Sequence, residues 1–214
     1  MKETKKEEKK SIKKSLKNFW WILWKDDSFK GWAFSVVFLF LFIKFLFFPF
    51  LSLVTGTSLP LAIVESCSMY HSGGLFSNFD SWWENHEDKY NEFSITQQNF
   101  LNFPLKKGFN KGDILFIVRA NPEKLKEGDI IIFNANQKNP IIHRIVDIKE
   151  IDGKRYFSTM GDNNREQIGF EEEISEEKLM GKAVFRLAPY LGWIKLLFYD
   201  WQKSSSERGF CIEN

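Results

Sequence analysis

Between Trp32 and Val54 the chain reads WAFSVVFLFLFIKFLFFPFLSLV, an apolar run with a single charge, Lys44. At ~1.5 Å per residue this run predicts a helix long enough to cross a hydrocarbon layer of ~30 Å. The segment before it, Ser15–Trp32, interleaves Trp with Lys, the pattern of an amphipathic helix lying at a membrane surface. After Val64 the period shortens. Ile114–Val118 follows Lys111-Gly112-Asp113, and Ile130–Phe133 follows Glu127-Gly128-Asp129. Ile141–Val146, Lys154–Met160 and Lys182–Leu187 are further short apolar runs, divided by Gly, Asp, Asn and Pro. Runs of this kind predict strands of a small antiparallel β domain, of the sandwich or barrel kind, with a hairpin connection at Glu150–Lys154.

Two segments break the strand pattern. Residues from about 75 to 105 form an insertion, polar and aromatic over Ser81–Phe103 and expected to be partly helical. Its Trp82, Trp83 and Tyr90 suit surface packing or an interfacial aromatic patch better than substrate contact. Glu171–Leu179 is acidic with helical spacing and is read as a short solvated helix. Near the C-terminus, Leu187–Trp201 is aromatic and partly apolar, and is expected to close the domain or lie on a membrane surface. The expected organisation is a Lys-rich N-terminus over 1–31, a transmembrane helix over 32–54, a β-rich domain over 61–195, and a tail over 196–214.

Charge orients this arrangement. Net charge is only +2, and ten lysines precede Trp32, so the positive charge is concentrated at one end and no nucleic-acid partner is expected. By the positive-inside rule the N-terminus lies in the cytoplasm and the β domain outside the cell membrane, behind a single span. The apolar run is longer than the core of a cleaved signal peptide and follows a long N-terminal region, which favours an uncleaved anchor. A mid-span Lys costs roughly 2.5–3.5 kcal/mol, which the surrounding Phe and Leu offset. Cys67 and Cys211 do not make a disulfide framework, although they can pair with each other; no Cys/His metal spacing is present.

Three short motifs carry candidate chemistry: Ser66-Cys67-Ser68-Met69, Ile141-Ile142-His143-Arg144-Ile145-Val146 and Gly161-Asp162-Asn163-Asn164. A serine hydroxyl is a weak nucleophile until a base accepts its proton. A neutral imidazole suits that task near neutral pH, and a carboxylate can fix its tautomer and stabilise the imidazolium. Each motif alone is weak, but their order, with Lys-Gly-Asp-Ile and Glu-Gly-Asp-Ile ahead of strands and a closing Gly181–Ile194 segment, resembles the type I signal peptidases. The resemblance covers roughly Leu61 to Lys195 and is to the branch of archaea and the endoplasmic reticulum, where a His stands in place of the bacterial Lys.

That resemblance implies a mainly β fold, with an N-terminal transmembrane helix followed by an antiparallel signal-peptidase-like catalytic sheet. It implies a serine endopeptidase with Ser68 as nucleophile, His143 as base, Asp162 as supporting carboxylate and Ser66 at the oxyanion. It calls for no cofactor and no metal. Its substrates would be secretory preproteins cut just outside the lipid bilayer, and the protein translocation channel would be a further partner. The sequence departs from the family twice. The family usually has a second Asp a few residues after Gly-Asp-Asn; six residues after Asp162 stands Ile168, leaving Glu166 as a second candidate carboxylate. Where a Pro commonly follows Ser-Met by one residue stands His71, a rival imidazole. His86 is expected at the surface. Cys67, alternating with Ser68 along a strand, would point away from the site. The alternatives are a narrow-specificity anchored peptidase and an inactive anchored β domain that scaffolds export partners.

Overall fold

In a computed structural model the described residues are 2–72, 79–204 and 208–212, with side chains from residue 11 onward. The chain forms two compact units, Met1–Val54 and Thr55–Asn214. The first is helical. Helix α1 (Lys2–Lys25) ends before Asp26-Asp27, and Ser28 caps α2 (Phe29–Phe42) by accepting a hydrogen bond from the Gly31 amide. Helical structure then continues through a π-turn (Ile43–Phe47) into α3 (Phe48–Thr55), giving 27 residues long and apolar enough to cross a membrane. The π-turn has a local cause. Pro49 has no N–H, and its ring crowds the carbonyl four residues back; the widened turn just before it, where the Phe48 amide reaches Ile43 O, accommodates both.

The second unit is built on one curled antiparallel sheet of seven strands in the order β1-β2-β7-β3-β4-β5-β6. The strands are β1 (Leu61–Ile63), β2 (Ile114–Val118), β3 (Ile130–Phe133), β4 (Ile141–Ile151), β5 (Lys154–Met160), β6 (Ile174–Ser175) and β7 (Leu179–Ala188). The antiparallel β expectation holds. β4 and β7 run longer than the apolar segments suggest: the polar end of β4 still pairs with β5, and Leu179–Gly181 of β7 pairs with β3. The β4–β5 hairpin turns at Asp152-Gly153, both in the left-handed region (φ 53° and 73°) that a two-residue hairpin needs.

The two Gly-Asp turns show how sequence fixes strand entry. Gly112 and Gly128 have φ of 89° and 86°, and a Cβ at either would run into the ring of Trp193 or Phe103. The following aspartates close each turn. Asp113 accepts from the Asn110 amide at 2.8 Å, and Asp129 from the Lys126 amide at 3.1 Å. Each buried carboxylate also pairs with a cation of β7, Asp113 with Arg186 and Asp129 with Lys182.

The insertion is partly helical, as expected: α4 (Phe79–Glu84), α5 (Glu87–Asn91) and α6 (Gln97–Phe100). Residues 75–78 of that expectation lie outside the described residues. Its aromatics are not a surface patch. Trp82, Trp83, Tyr90 and Phe100 form a core with Val146 and Met160 of the sheet, burying large apolar area against β4 and β5. His86 belongs to this core too: it is buried, stacks on Trp82 and places Nδ1 2.7 Å from Trp82 O. Helical spacing at Glu171–Leu179 also misleads. That stretch is two 3-10 turns around strand β6, and Glu171 is fully buried. At the C-terminal end α7 (Trp193–Leu196) closes the unit, with Leu196 buried and Trp193 Nε1 donating to Lys111 O at 3.0 Å.

Candidate active site

Ser66–Met69 leaves β1 as a tight bend, not a strand, and this bend lies against the Gly161–Asn164 turn. The Asn163 amide donates to Ser68 O at 2.7 Å, and Asn163 Nδ2 donates to Cys67 O at 3.1 Å. Gly161 makes the approach possible, since a Cβ there would stand 2.8 Å from Ser68 O. β4 brings His143 to the same place. Arg144 pairs with Met160 at the end of β5, so His143, one residue before it, lies level with the start of the Gly161–Asn164 turn. Sheet register thus gathers three motifs that are separated by up to about a hundred positions in sequence.

Ser68 Oγ lies 3.1 Å from Ser66 Oγ. No hydrogen bond joins Ser68 to His143 among the described residues. His143 is buried, and its Nδ1 contacts the Glu171 carboxylate. Glu171 is itself held: Oε2 accepts from the Ile168 amide at 3.0 Å, and Oε1 from Thr159 Oγ1 at 3.2 Å. Neither carboxylate expected from the sequence makes this contact. Glu166 is exposed. Asp162 has both oxygens engaged elsewhere, by Arg144 Nε (2.9 Å), Arg144 Nη2 (2.7 Å), His71 Nε2 (2.9 Å) and Tyr90 Oη (2.9 Å). Sequence spacing missed Glu171 because it was sought within a few residues of Asp162. The available signal was an apolar Ile168 beside an acidic run, which left room for a more distant carboxylate to fold back.

Asp162 is the centre of a buried charged cluster. Burial would raise its pKa, but the Arg144 guanidinium, with the hydrogen bonds from His71 and Arg144, holds its carboxyl well below the usual range. Arg144 is fully buried and donates to the carbonyls of Pro104, Gly128 and Leu105, with its guanidinium over Phe100. Burial lowers the His71 pKa despite the opposing pull of Asp162, to which its Nε2 lies 2.9 Å away. His71 lies flat on Trp82 with 3.6 Å between ring centroids, and its Nδ1 has no hydrogen-bond partner among the described residues. Lys89 of α5 completes the cluster. Its ammonium reaches Asp162 O and Asn164 O, each at 2.6 Å, and burial lowers its pKa to about 8.

Cys67 is joined to Cys211 by a disulfide, which ties the C-terminal segment to the residue preceding Ser68. The expectation that Cys67 points away along a strand does not apply to a bend; the disulfide is what occupies its sulfur. Asn163 Nδ2 also donates to Ile212 O at 3.2 Å, so the same amide holds both segments.

No family model matches the chain. Among curated proteins it is similar to "Signal peptidase complex catalytic subunit SEC11C" of Homo sapiens and of Mus musculus, each 29% identical over 110 residues, covering 48% of this chain and 57% of the relative. "Signal peptidase complex catalytic subunit SEC11" of Colletotrichum graminicola is 28% identical over 116 residues, covering 49% and 66%. The chain spans little more than half the length of the first of these relatives.

Proposed function

From this homology to SEC11 catalytic subunits of signal peptidase, which extends over about half the chain, we propose that the protein is a membrane-anchored serine endopeptidase that removes N-terminal signal peptides from exported preproteins. The observation that carries the reading is the convergence of the Ser66–Ser68 bend, the β4 His143 and the Gly161–Asn164 turn, with a buried carboxylate on the far nitrogen of the imidazole.

In this reading Ser68 Oγ attacks the scissile carbonyl as His143 Nε2 takes its proton. The Glu171 carboxylate on Nδ1 fixes the tautomer with Nε2 free to accept, and stabilises the imidazolium that forms. The C–N bond breaks, and His143 returns the proton to the leaving amine. Water then attacks the acyl-enzyme with His143 again as base, releasing the signal-peptide carboxylate and restoring Ser68. Ser66 Oγ, already beside Ser68 Oγ, turns to the developing oxyanion, a contribution of typically ~2.7–4 kcal/mol. Binding of substrate draws His143 and Ser68 into hydrogen-bond range, as catalytic contacts often tighten only in the complex. Asp162 acts on the scaffold and not on His143.

The apolar helix suits such a substrate. Ser68 follows Val54 by fourteen residues, a short tether that keeps nucleophile and membrane-bound peptide in one layer and raises their effective concentration. The ten lysines before Trp32 support a cytoplasmic N-terminus with the sheet outside the cell membrane. The translocation channel, which delivers such substrates, is the expected neighbour.

The test is cleavage of a model preprotein in detergent by wild type and Ser68→Ala, with the new N-terminus sequenced. Cutting after a small-x-small site by wild type alone supports the reading. Several precursors left intact by folded wild type would overturn it in favour of an anchored scaffold.

A further inference from the structure

The insertion does more than add a second core. Its α5 carries Lys89, whose side chain is buried and whose ammonium faces three carbonyls of one turn: Asp162 O at 2.6 Å, Asn164 O at 2.6 Å and Gly161 O at 3.5 Å. An ammonium has three donors, and here the nitrogen lies within reach of the carbonyls of residues 161, 162 and 164 in the turn that supports Ser68. That turn touches the nucleophile's own peptide unit through Asn163 N–H to Ser68 O at 2.7 Å. Its other side is pinned by Asp162 in the Arg144–His71–Tyr90 cluster. The groups facing Lys89 are the Tyr90 ring, 5.2 Å from Nζ, together with the charges of Asp162 and Arg144.

We infer that Lys89 is a positioning residue: its ammonium holds the Gly161–Asn164 turn closed so that Asn163 fixes the Ser68 peptide unit for attack. The inference rests on the peptidase reading for its effect on rate, but not for its effect on the turn. Three carbonyls converging on one point repel each other, and the cation between them removes that repulsion. Without it the turn relaxes, Asn163 N–H draws away from Ser68 O, and the nucleophile loses its bearing. A misplacement of about 1 Å at a reacting group can cost ~10²-fold in rate.

The test uses the full-length chain in detergent and compares wild type, Lys89→Met and Lys89→Ala. Lys89→Met keeps the stem and removes the charge. It is expected to lower kcat by ~10-fold or more with KM changed by less than ~2-fold, the signature of lost transition-state positioning. Hydrogen exchange of the Asn163 amide is expected to quicken by ~10-fold or more, while the β3 amides of Ile130–Phe133 keep their protection. Ethylammonium chloride, but not sodium chloride, is expected to restore part of the protection and rate of Lys89→Ala. Unchanged exchange at Asn163, or a loss of rate without that change, overturns the inference. If Lys89→Met loosens β3 as well, rescue decides: recovery with ethylammonium supports the inference, and none overturns it. If wild type cuts no precursor, the peptidase reading falls, while exchange at Asn163 still judges the clamp.

Discussion

Among the described residues two histidine–carboxylate pairs stand within one unit, in different surroundings. His143 stands on β4 with Glu171 at Nδ1, level in register with the start of the turn that contacts Ser68. His71, three residues after Ser68 in sequence, is sealed between Trp82 and the Asp162 cluster, with its side chain wholly inaccessible. Both imidazoles are buried, and what separates them is which nitrogen the carboxylate takes: Asp162 occupies Nε2 of His71, whereas Glu171 sits at Nδ1 of His143. The Asp162 pair is shared with Arg144 and Tyr90 and therefore resembles a structural tie. The difference teaches that closeness in sequence does not fix surroundings: His71, near Ser68 in the chain, is tied into the Asp162 cluster, while His143, far from it, pairs with Glu171.

The comparison can be broken most severely at the nucleophile and base. Ser68→Ala or His143→Ala is expected to lower kcat by at least ~10⁴-fold, whereas His71→Phe should stay within a few-fold of wild type at a temperature where it remains folded. Preprotein cleavage rates measure both, and near-normal activity of His143→Ala would shift the base assignment to His71. Glu171→Gln keeps the shape but loses the charge on Nδ1, and is expected to cost roughly 10²–10⁴-fold in kcat. Glu166→Gln, at an exposed position, should change kcat by less than ~2-fold. The reverse order would return the carboxylate role to Glu166.

The Asp162 side of the comparison is read by stability. Asp162→Asn leaves Arg144 buried without its counter-charge and is expected to cost ~3–5 kcal/mol in denaturant unfolding. The folded-state pKa of Asp162 is depressed, so the stability it lends is complete above its unfolded value of ~3.9 and is lost as pH falls below it. Wild type should therefore lose stability progressively as pH drops from ~5, and Asp162→Asn should show a shallower acid slope. Reduction of Cys67–Cys211, which spans 144 residues, is expected to lower stability by a further ~2–5 kcal/mol, visible as a lower midpoint in the same titration with reductant.

Much of this was legible one segment at a time. The apolar run, the Gly-Asp strand entries and the Asp152-Gly153 hairpin are local signals, set by side-chain period and by the backbone angles that glycine permits. The motifs that hold Ser68 and His143 were likewise readable as candidates, through their order. The aromatic insertion is not legible in the same way, because Trp82, Trp83 and His86 sit among polar neighbours; packing of the two tryptophans with Val146 and Met160, and of His86 on Trp82, turns them inward. Glu171 is not legible either, because an acidic run with helical spacing ordinarily faces water, whereas this carboxylate is buried against His143 and Thr159.

The apolar helix and the antiparallel strands therefore follow from the chain alone, since each depends on residues close together in it. Tertiary structure decided which carboxylate meets which histidine, that Cys67 meets Cys211, and that an inserted lysine grips the turn behind Ser68. Those pairings follow from sheet register and from the high cost of burying a charge without a partner, and both are settled only when distant segments pack together.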